Sequence, residues 1–370
     1  MTANASWTDP YSFSRGWTLR NRVWLAPMTN LQSHADGHLS EEERAWLTLR
    51  AAGGFSAIET CATHVAADGQ GWPGELGIHH DGLKEDWARL CADVHGHGAL
   101  LIAQLFHGGA RANPQLVPRR WTAWPSEAER AEGIVSGDEE DVQGVIDAFG
   151  AAAGRAHSAG LAGVELHGAH GYLLCQFLGR HNQRGDGLGG SLEERASLLL
   201  RVVRRARAAM GEDRLVGVRL SPEDRQGTWG MHLDDTLQVA AWLVEEGIDF
   251  LHLSLWDAEA MTQARPADHP IRLFREAIGQ RCALVVAGGM WTSEDASRAL
   301  DRGADIVALG RAALPHPAWP REAVDPAFRP MRPPIDPEHL RRAGVSEAFL
   351  QYMGRWPGFV AAPASGTGQG

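Results

Sequence analysis

The chain has 370 residues, 44% of them hydrophobic, and a formal net charge of −11, so it has apolar content for a large core in about one to three domains. The acidic balance argues against nucleic acid as a partner. No run of about 18 apolar residues marks a membrane span and no basic-then-apolar start marks a secretory signal, which makes cytoplasm the expected compartment.

Short β-rich apolar runs recur at Val23 to Ala26, Ala57 to Thr60, Leu100 to Leu105, Gly163 to Leu166, Leu215 to Leu220, Asp249 to Leu253, Leu284 to Ala287 and Ile306 to Leu309. Helical patterns separate most of them, at Glu41 to Ala52, Leu83 to His97, Asp141 to Ala159, Leu192 to Met210, Leu233 to Glu246, Pro270 to Ile278 and Ser293 to Arg302. Gly98, Gly160, Gly247 and Gly303 fit C-terminal helix caps. This alternation predicts a single-domain (β/α)8 TIM barrel with its site where strands end and loops begin. An open doubly wound sheet fits less well, because Leu25-Ala26-Pro27-Met28-Thr29 follows the first strand in place of a Gly-rich fingerprint. The GxGxxG match from Gly69 to Gly74 contains Pro73 and opens no helical pattern, so it reads as a loop.

The expected organisation is an N-terminal segment at 1–15, the barrel at 16–325, a C-terminal segment at 326–360 and a flexible tail at 361–370. The connection from His107 to Asp138 is rich in Pro, Arg and Trp and exceeds usual loop lengths, which suggests a lid or pocket wall over the barrel mouth.

Polar residues fall at the predicted strand ends. Pro27, Met28 and Thr29 follow the first strand, Glu59 and Thr60 end the second, Gln104 lies in the third and Arg219 in the fifth. The fourth runs into Glu165-Leu166-His167-Gly168-Ala169-His170-Gly171-Tyr172, which sets two histidines and one of only three tyrosines just beyond a strand. These three side chains have the chemistry to hold an oxygen and deliver a proton. Together the strand ends suggest a planar polar ligand across the mouth. Gly288-Gly289 and Gly310-Arg311 end the last two strands, the usual phosphate corner of such barrels. Two ordinary Gly-containing turns are the alternative there. The absence of a CxxC pair among Cys61, Cys91, Cys175 and Cys282 argues against a structural zinc or cysteine-held cluster, and Lys84, the only lysine, leaves Schiff-base chemistry almost without a candidate.

With these residues placed, the chain resembles the old yellow enzyme family of FMN-dependent oxidoreductases from about Leu19 to Arg311. The resemblance is carried by Leu19 to Val23 with Ala26 to Thr29, by Gln104 to His107, by Glu165 to Tyr172, by Phe177-Leu178 with Asn182, Arg184, Asp186 and Gly189-Gly190-Ser191, and by the two glycine turns. It implies an FMN whose ring meets Pro27, Met28, Thr29, Thr60, Gln104 and Arg219 and whose phosphate lies at Gly288, Gly289, Gly310 and Arg311. It also implies NADPH or NADH as hydride donor, and an electron-poor alkene whose carbonyl or nitro oxygen is held by His167 and His170 and whose carbon is protonated by Tyr172.

Leu188, Gly179-Arg180-His181 and Glu194 depart from the family's usual residues and bear on the pocket's shape. Tyr352 to Trp356 is similar to a C-terminal segment in which an Arg enters a neighbour's site, so Arg355 implies a homodimer or larger; a tail docked on its own barrel through Trp356 and Phe359 is the alternative. Trp72, Trp121, Trp124 and Trp256 lie on predicted mouth loops as candidate pocket walls. Competing readings are a flavin-dependent dehydrogenase or desaturase acting on a metabolite, a flavin-free isomerase or lyase, and a noncatalytic flavin-binding protein.

Overall fold

The computed structural model describes residues 5–224 and 227–362. Its strands β1 (Val23–Leu25), β2 (Ala57–His64), β3 (Leu100–Phe106), β4 (Gly163–Gly168), β5 (Leu215–Leu220), β6 (Phe250–Ser254), β7 (Ala283–Ala287) and β8 (Ile306–Leu309) form one closed barrel. Neighbours in sequence pair in parallel all the way round, and β8 returns to β1 through Val307–Val23 and Leu309–Leu25. Between strands lie α1 (Glu41–Gly53), α2 (Lys84–Gly96), α3 (Glu139–Ser158), α4 (Leu192–Met210), α5 (Leu233–Glu245), α6 (Pro270–Ile278) and α7 (Ser293–Asp301). This is the expected (β/α)8 TIM barrel.

The strands read as nearly unbroken Val, Leu, Ile and Ala because both faces are covered. Outward residues pack on the helices, while inward residues fill the lumen. At the lumen floor the indole of Trp24 meets the ring of Phe250 edge-on at 5.1 Å. Gly217 makes room for that ring: a Cβ there would lie 2.2 Å from it. A short hairpin of Tyr11–Ser12 and Thr18–Leu19 brings Phe13 and Leu19 into the same cluster and closes the bottom.

Helix starts follow their caps. Asp138 and Asp141 form a capping box that begins α3 at Glu139 rather than at Asp141. Gly98, Gly160, Gly247 and Gly303 all have positive φ, from +71° to +116°, as the predicted caps require. None of the described helices is long and apolar enough to cross a membrane.

The 107–138 connection is a built side wall. It contains a 3-10 turn at Gly109–Arg111, a helix at Glu127–Ala131, and paired strands Trp121–Thr122 and Val135–Ser136. The Trp121 indole donates to Asp68 at 2.9 Å, and Arg184 donates to the Gly137 carbonyl at 2.7 Å. These ties hold the segment beside the barrel mouth, and none of its residues lines the central cavity. The expectation of a lid is therefore corrected. Trp121 is fully buried among His107 and Phe177, and Trp124 faces solvent beside Arg130, so neither is a pocket wall.

The chain beyond 326 folds back over its own barrel. Helices at Pro337–Arg342 and Glu347–Met353 bring Phe349 against Trp46 of α1 at 5.6 Å, and Ile335 pairs with Val360.

Candidate active site

A cavity of about 560 Å³ opens at the C-terminal ends of the strands. Above the apolar floor the lumen turns polar, since Glu59, Gln104, Glu165, Arg219 and His252 are all buried there. Alternation explains it: in β4, Val164 and Leu166 face the helices while Glu165 and His167 face inward.

Glu165 organises this layer. Its Oε1 accepts from Gln104 Nε2 at 2.7 Å, and its Oε2 lies 2.7 Å from His252 Nδ1. Glu59 lies 3.5 Å from the same His252 nitrogen. Burial and the neighbouring Glu165 push the Glu59 carboxyl well up, so it holds a proton. Burial also opposes charge on Glu165, but His252 and Arg219 outweigh it and pull its carboxyl below the usual range. Glu59, Glu165 and His252 cluster tightly enough to suggest a metal site. The adjacent Arg219 guanidinium already supplies positive charge to both carboxyls, and we read the cluster as one charged and one neutral carboxyl beside it.

Because Gln104 spends its NH2 on Glu165, its amide oxygen is left to face the cavity that Gln104 lines. Arg219 lines the cavity beside it, donates to Ser254 Oγ at 3.1 Å, and has a buried Nε with no partner among the described residues. An acceptor and a guanidinium edge thus meet at one end of the cavity.

At the end of β4 and just past it, His167, His170 and Tyr172 form one aromatic cluster. The rings of His167 and His170 are 5.0 Å apart, and those of His167 and Tyr172 are 5.3 Å apart. Burial pushes both imidazoles well below their usual range, and nearby Arg219, Arg111 and His252 add to the effect. Both are neutral near pH 7. Nδ1 of His167 accepts from the Ala169 amide at 3.4 Å, which places its proton on Nε2. His170 takes positive φ, +60°, and its Nε2 lies 2.6 Å from Ser254 Oγ. Burial raises the Tyr172 phenol, against the pull of Arg111.

At the opposite end, Gly288 and Gly289 follow β7 and Gly310 and Arg311 follow β8, all lining the cavity. A Cβ on Gly288 would lie 2.8 Å from the backbone nitrogen of Ala258, so only glycine lets this turn pack against the loop after β6.

Two expected residues fall outside the cavity. Thr60 turns away from it: Glu59 faces the lumen, so alternation sends Thr60 outward, where it is buried, donates to the Cys61 carbonyl and accepts from the Gln104 amide. A register shift between Glu59 and Ala62 then brings Ala62 to the lining in its place. Arg355 is exposed, 5.1 Å over its own Tyr352 ring, and does not line the cavity of its own chain. Pro27, Met28, Thr29, Trp72 and Trp256 do line it. The departures at Leu188, Gly179 to His181 and Glu194 do not, and Glu194 instead completes the capping box of α4.

Sequence reasoning missed how much wall the C-terminal segment supplies. Tyr352, Met353, Trp356 and Phe359 line the cavity, and Thr29 hydrogen-bonds the Tyr352 phenol, which burial pushes up. The apolar spacing of Phe349, Tyr352, Met353 and Trp356 was the available signal.

Residues 9–325 match the NADH:flavin oxidoreductase / NADH oxidase family. The chain belongs to that family, the old yellow enzymes. It is 35% identical over 320 residues to the probable NADH-dependent flavin oxidoreductase YqiG of Bacillus subtilis, covering 84% of this chain and 86% of that one. It is 32% identical over 339 residues to 12-oxophytodienoate reductase 2 of Arabidopsis thaliana, covering 84% and 86%. Among solved structures, the old yellow enzyme homologue of Zymomonas mobilis superposes with a TM-score of 0.78 at 29% identity, covering 91% of this chain and 96% of that one. The chain is an oxidoreductase that uses FMN with a nicotinamide donor. The cavity fits the cofactor: among the described residues an amide oxygen and an unpartnered guanidinium Nε stand at one end, and two glycine turns with the Arg311 side chain stand at the other.

Proposed function

We propose that the protein reduces activated C=C bonds, in α,β-unsaturated carbonyl or nitro compounds. The observation that carries this reading is the neutral donor cluster of His167, His170 and Tyr172 in the same cavity as Gln104 and Arg219. Among the described residues no Asp or Glu lines that cavity, so negative charge developing on a substrate oxygen near the cluster meets donors and no carboxylate.

Pro27, Met28, Thr29, Gln104 and Arg219 hold the flavin ring, with Ala62 where Thr60 was expected, and Gly288, Gly289, Gly310 and Arg311 hold the phosphate. The chemistry FMN supplies when bound is hydride transfer, renewed by NADH or NADPH. His167, donating from Nε2, and His170 hold the substrate's carbonyl or nitro oxygen. Tyr172 delivers the proton to the α-carbon, because a raised phenol remains protonated at neutral pH and is an acid in reserve. Trp72, Tyr352 and Trp356 exclude water from the reacting bond and favour flat apolar substrates.

The test is an absorption spectrum of the holoprotein, followed by anaerobic NADPH or NADH and then cyclohexenone. The expected record is a flavin band that bleaches with the nicotinamide and returns with the enone. Recovery only on admitting oxygen would move the reading to a flavin-dependent dehydrogenase or desaturase.

A further inference from the structure

Four arginines are buried among the described residues: Arg50, Arg184, Arg195 and Arg219. Arg184 pairs with Asp186, Arg195 pairs with Asp235, and Arg219 lies in the field of Glu165 and Glu59. Among the described residues, no carboxylate lies beside Arg50. It comes from α1, outside the barrel, and burial with no acid to oppose it lowers its pKa well below the ordinary value. A guanidinium nonetheless remains charged.

Every hydrogen bond of Arg50 goes to a backbone carbonyl. Nη1 donates to Trp46 O at 3.1 Å, Nε and Nη2 donate to Ala313 O at 3.3 and 3.1 Å, and Nη2 also donates to Leu314 O at 3.1 Å. The turn it grips is the one that follows β8. Ala313 N donates to Gly310 O at 2.9 Å and Leu314 N to Arg311 O at 3.3 Å, and Gly310, Arg311 and Leu314 all line the cavity. The guanidinium also lies 4.3 Å over the Trp46 ring, which packs against Phe349 of the cavity wall.

Taking a charge out of water without a counter-ion is costly, and the carbonyls offset only part of that cost. The excess positive charge sits one turn from the glycine corner, in a dry setting where charge acts strongly. We propose that Arg50 is a positioning residue for the phosphate corner. It clamps the 310–314 turn and leaves unbalanced positive charge behind it, so that a phosphorylated flavin binds in preference to its dephosphorylated form. This rests on the phosphate lying at Gly288, Gly289, Gly310 and Arg311.

The test compares FMN and riboflavin binding to the apoprotein by flavin fluorescence, for the unaltered protein and for Arg50→Met, Arg50→Lys and Arg311→Gln. Arg50→Met should weaken FMN by about tenfold or more and leave riboflavin within about twofold. Arg50→Lys loses the two-carbonyl grip and, buried without an acid, holds its charge less firmly than arginine, but should fall between; if the Met variant does not fold, the Lys variant decides by the same comparison. Equal losses for both flavins, or no loss, would overturn the role of Arg50. If Arg311→Gln also leaves the FMN preference unchanged, the phosphate placement itself is wrong; if Arg311→Gln removes the preference and the Arg50 variants keep it, only the role of Arg50 fails.

Discussion

The Arg111 guanidinium lies 4.4 Å over the ring of Tyr172, and the same side chain donates to the backbone carbonyl of His170. A cation over a phenol stabilises the phenolate that remains after proton transfer. Removing Arg111 leaves only upward pushes on the phenol, from burial first and then from Glu75 and Tyr352. Arg111→Leu should therefore make Tyr172 a weaker acid and slow flavin reoxidation by an enone by about tenfold or more, with flavin reduction by NADPH little changed. Stopped-flow measurement of the two half-reactions separates them, and equal slowing of both would contradict the role.

Tyr172→Phe removes the proton itself. The enone half-reaction should fall by about a hundredfold or more, while reduction by the nicotinamide stays within a few fold. A normal enone rate in this variant would show that another group or water delivers the proton.

The histidine pair should act as neutral donors. His167→Ala and His170→Ala should each weaken a phenolic ligand, such as p-hydroxybenzaldehyde, by about tenfold. Since both imidazoles are pushed well below their ordinary value of 6.5, the affinity of the unaltered protein should show no histidine step between pH 6 and 8 beyond that of the phenol. A titration step near pH 6.5 would mean that one histidine charges and is less buried than described.

Thr60 and Ala62 make a paired test of the strand irregularity. Thr60→Val keeps the bulk outside the cavity and should leave FMN affinity within about twofold, whereas Ala62→Leu places bulk in the lining and should lower it by about tenfold or more. Fluorescence titration of FMN checks both, and the reverse order of effects would return Thr60 to the site.

His64 offers a stability test away from the chemistry. Burial, aided by His79, pushes its pKa down from 6.5 to about 3. Above pH 6.5 the group is neutral in both folded and unfolded chains and has no effect. As the pH falls from 6.5 toward 3, the unfolded chain takes the proton and the folded one does not, so stability drops by up to about 1.4 kcal/mol per pH unit. Denaturant unfolding of His64→Gln should show a shallower loss than the unaltered protein below pH 6.5; parallel curves would refute the assignment.

The strands and helices were legible because their signals are local. Apolar runs such as Leu100 to Phe106 set strand positions, and Ser191 with Glu194 or Thr292 with Asp295 begin helices where they stand. Most of the expected site residues do converge on one cavity, because a closed parallel barrel brings every strand end to the same rim. The exceptions arise from pairing and docking. Whether Thr60 or Ala62 faces the lumen depends on the register of β2 against β3, and whether Trp121 is a wall or a strut depends on Asp68, more than fifty residues away in sequence.

The sequence by itself determined the barrel, the order of its strands and the chemistry available at each strand end, since periodicity, caps and side-chain type are properties of short segments. Only the tertiary structure decided that burial beside Glu165 pushes the Glu59 carboxyl up, that Glu165 turns the Gln104 amide, that Arg50 has no acid beside it among the described residues, and that Tyr352 and Trp356 close the cavity on their own barrel. Each of those depends on charge, burial or contact between residues distant in the chain, and these acquire values only when the chain is folded.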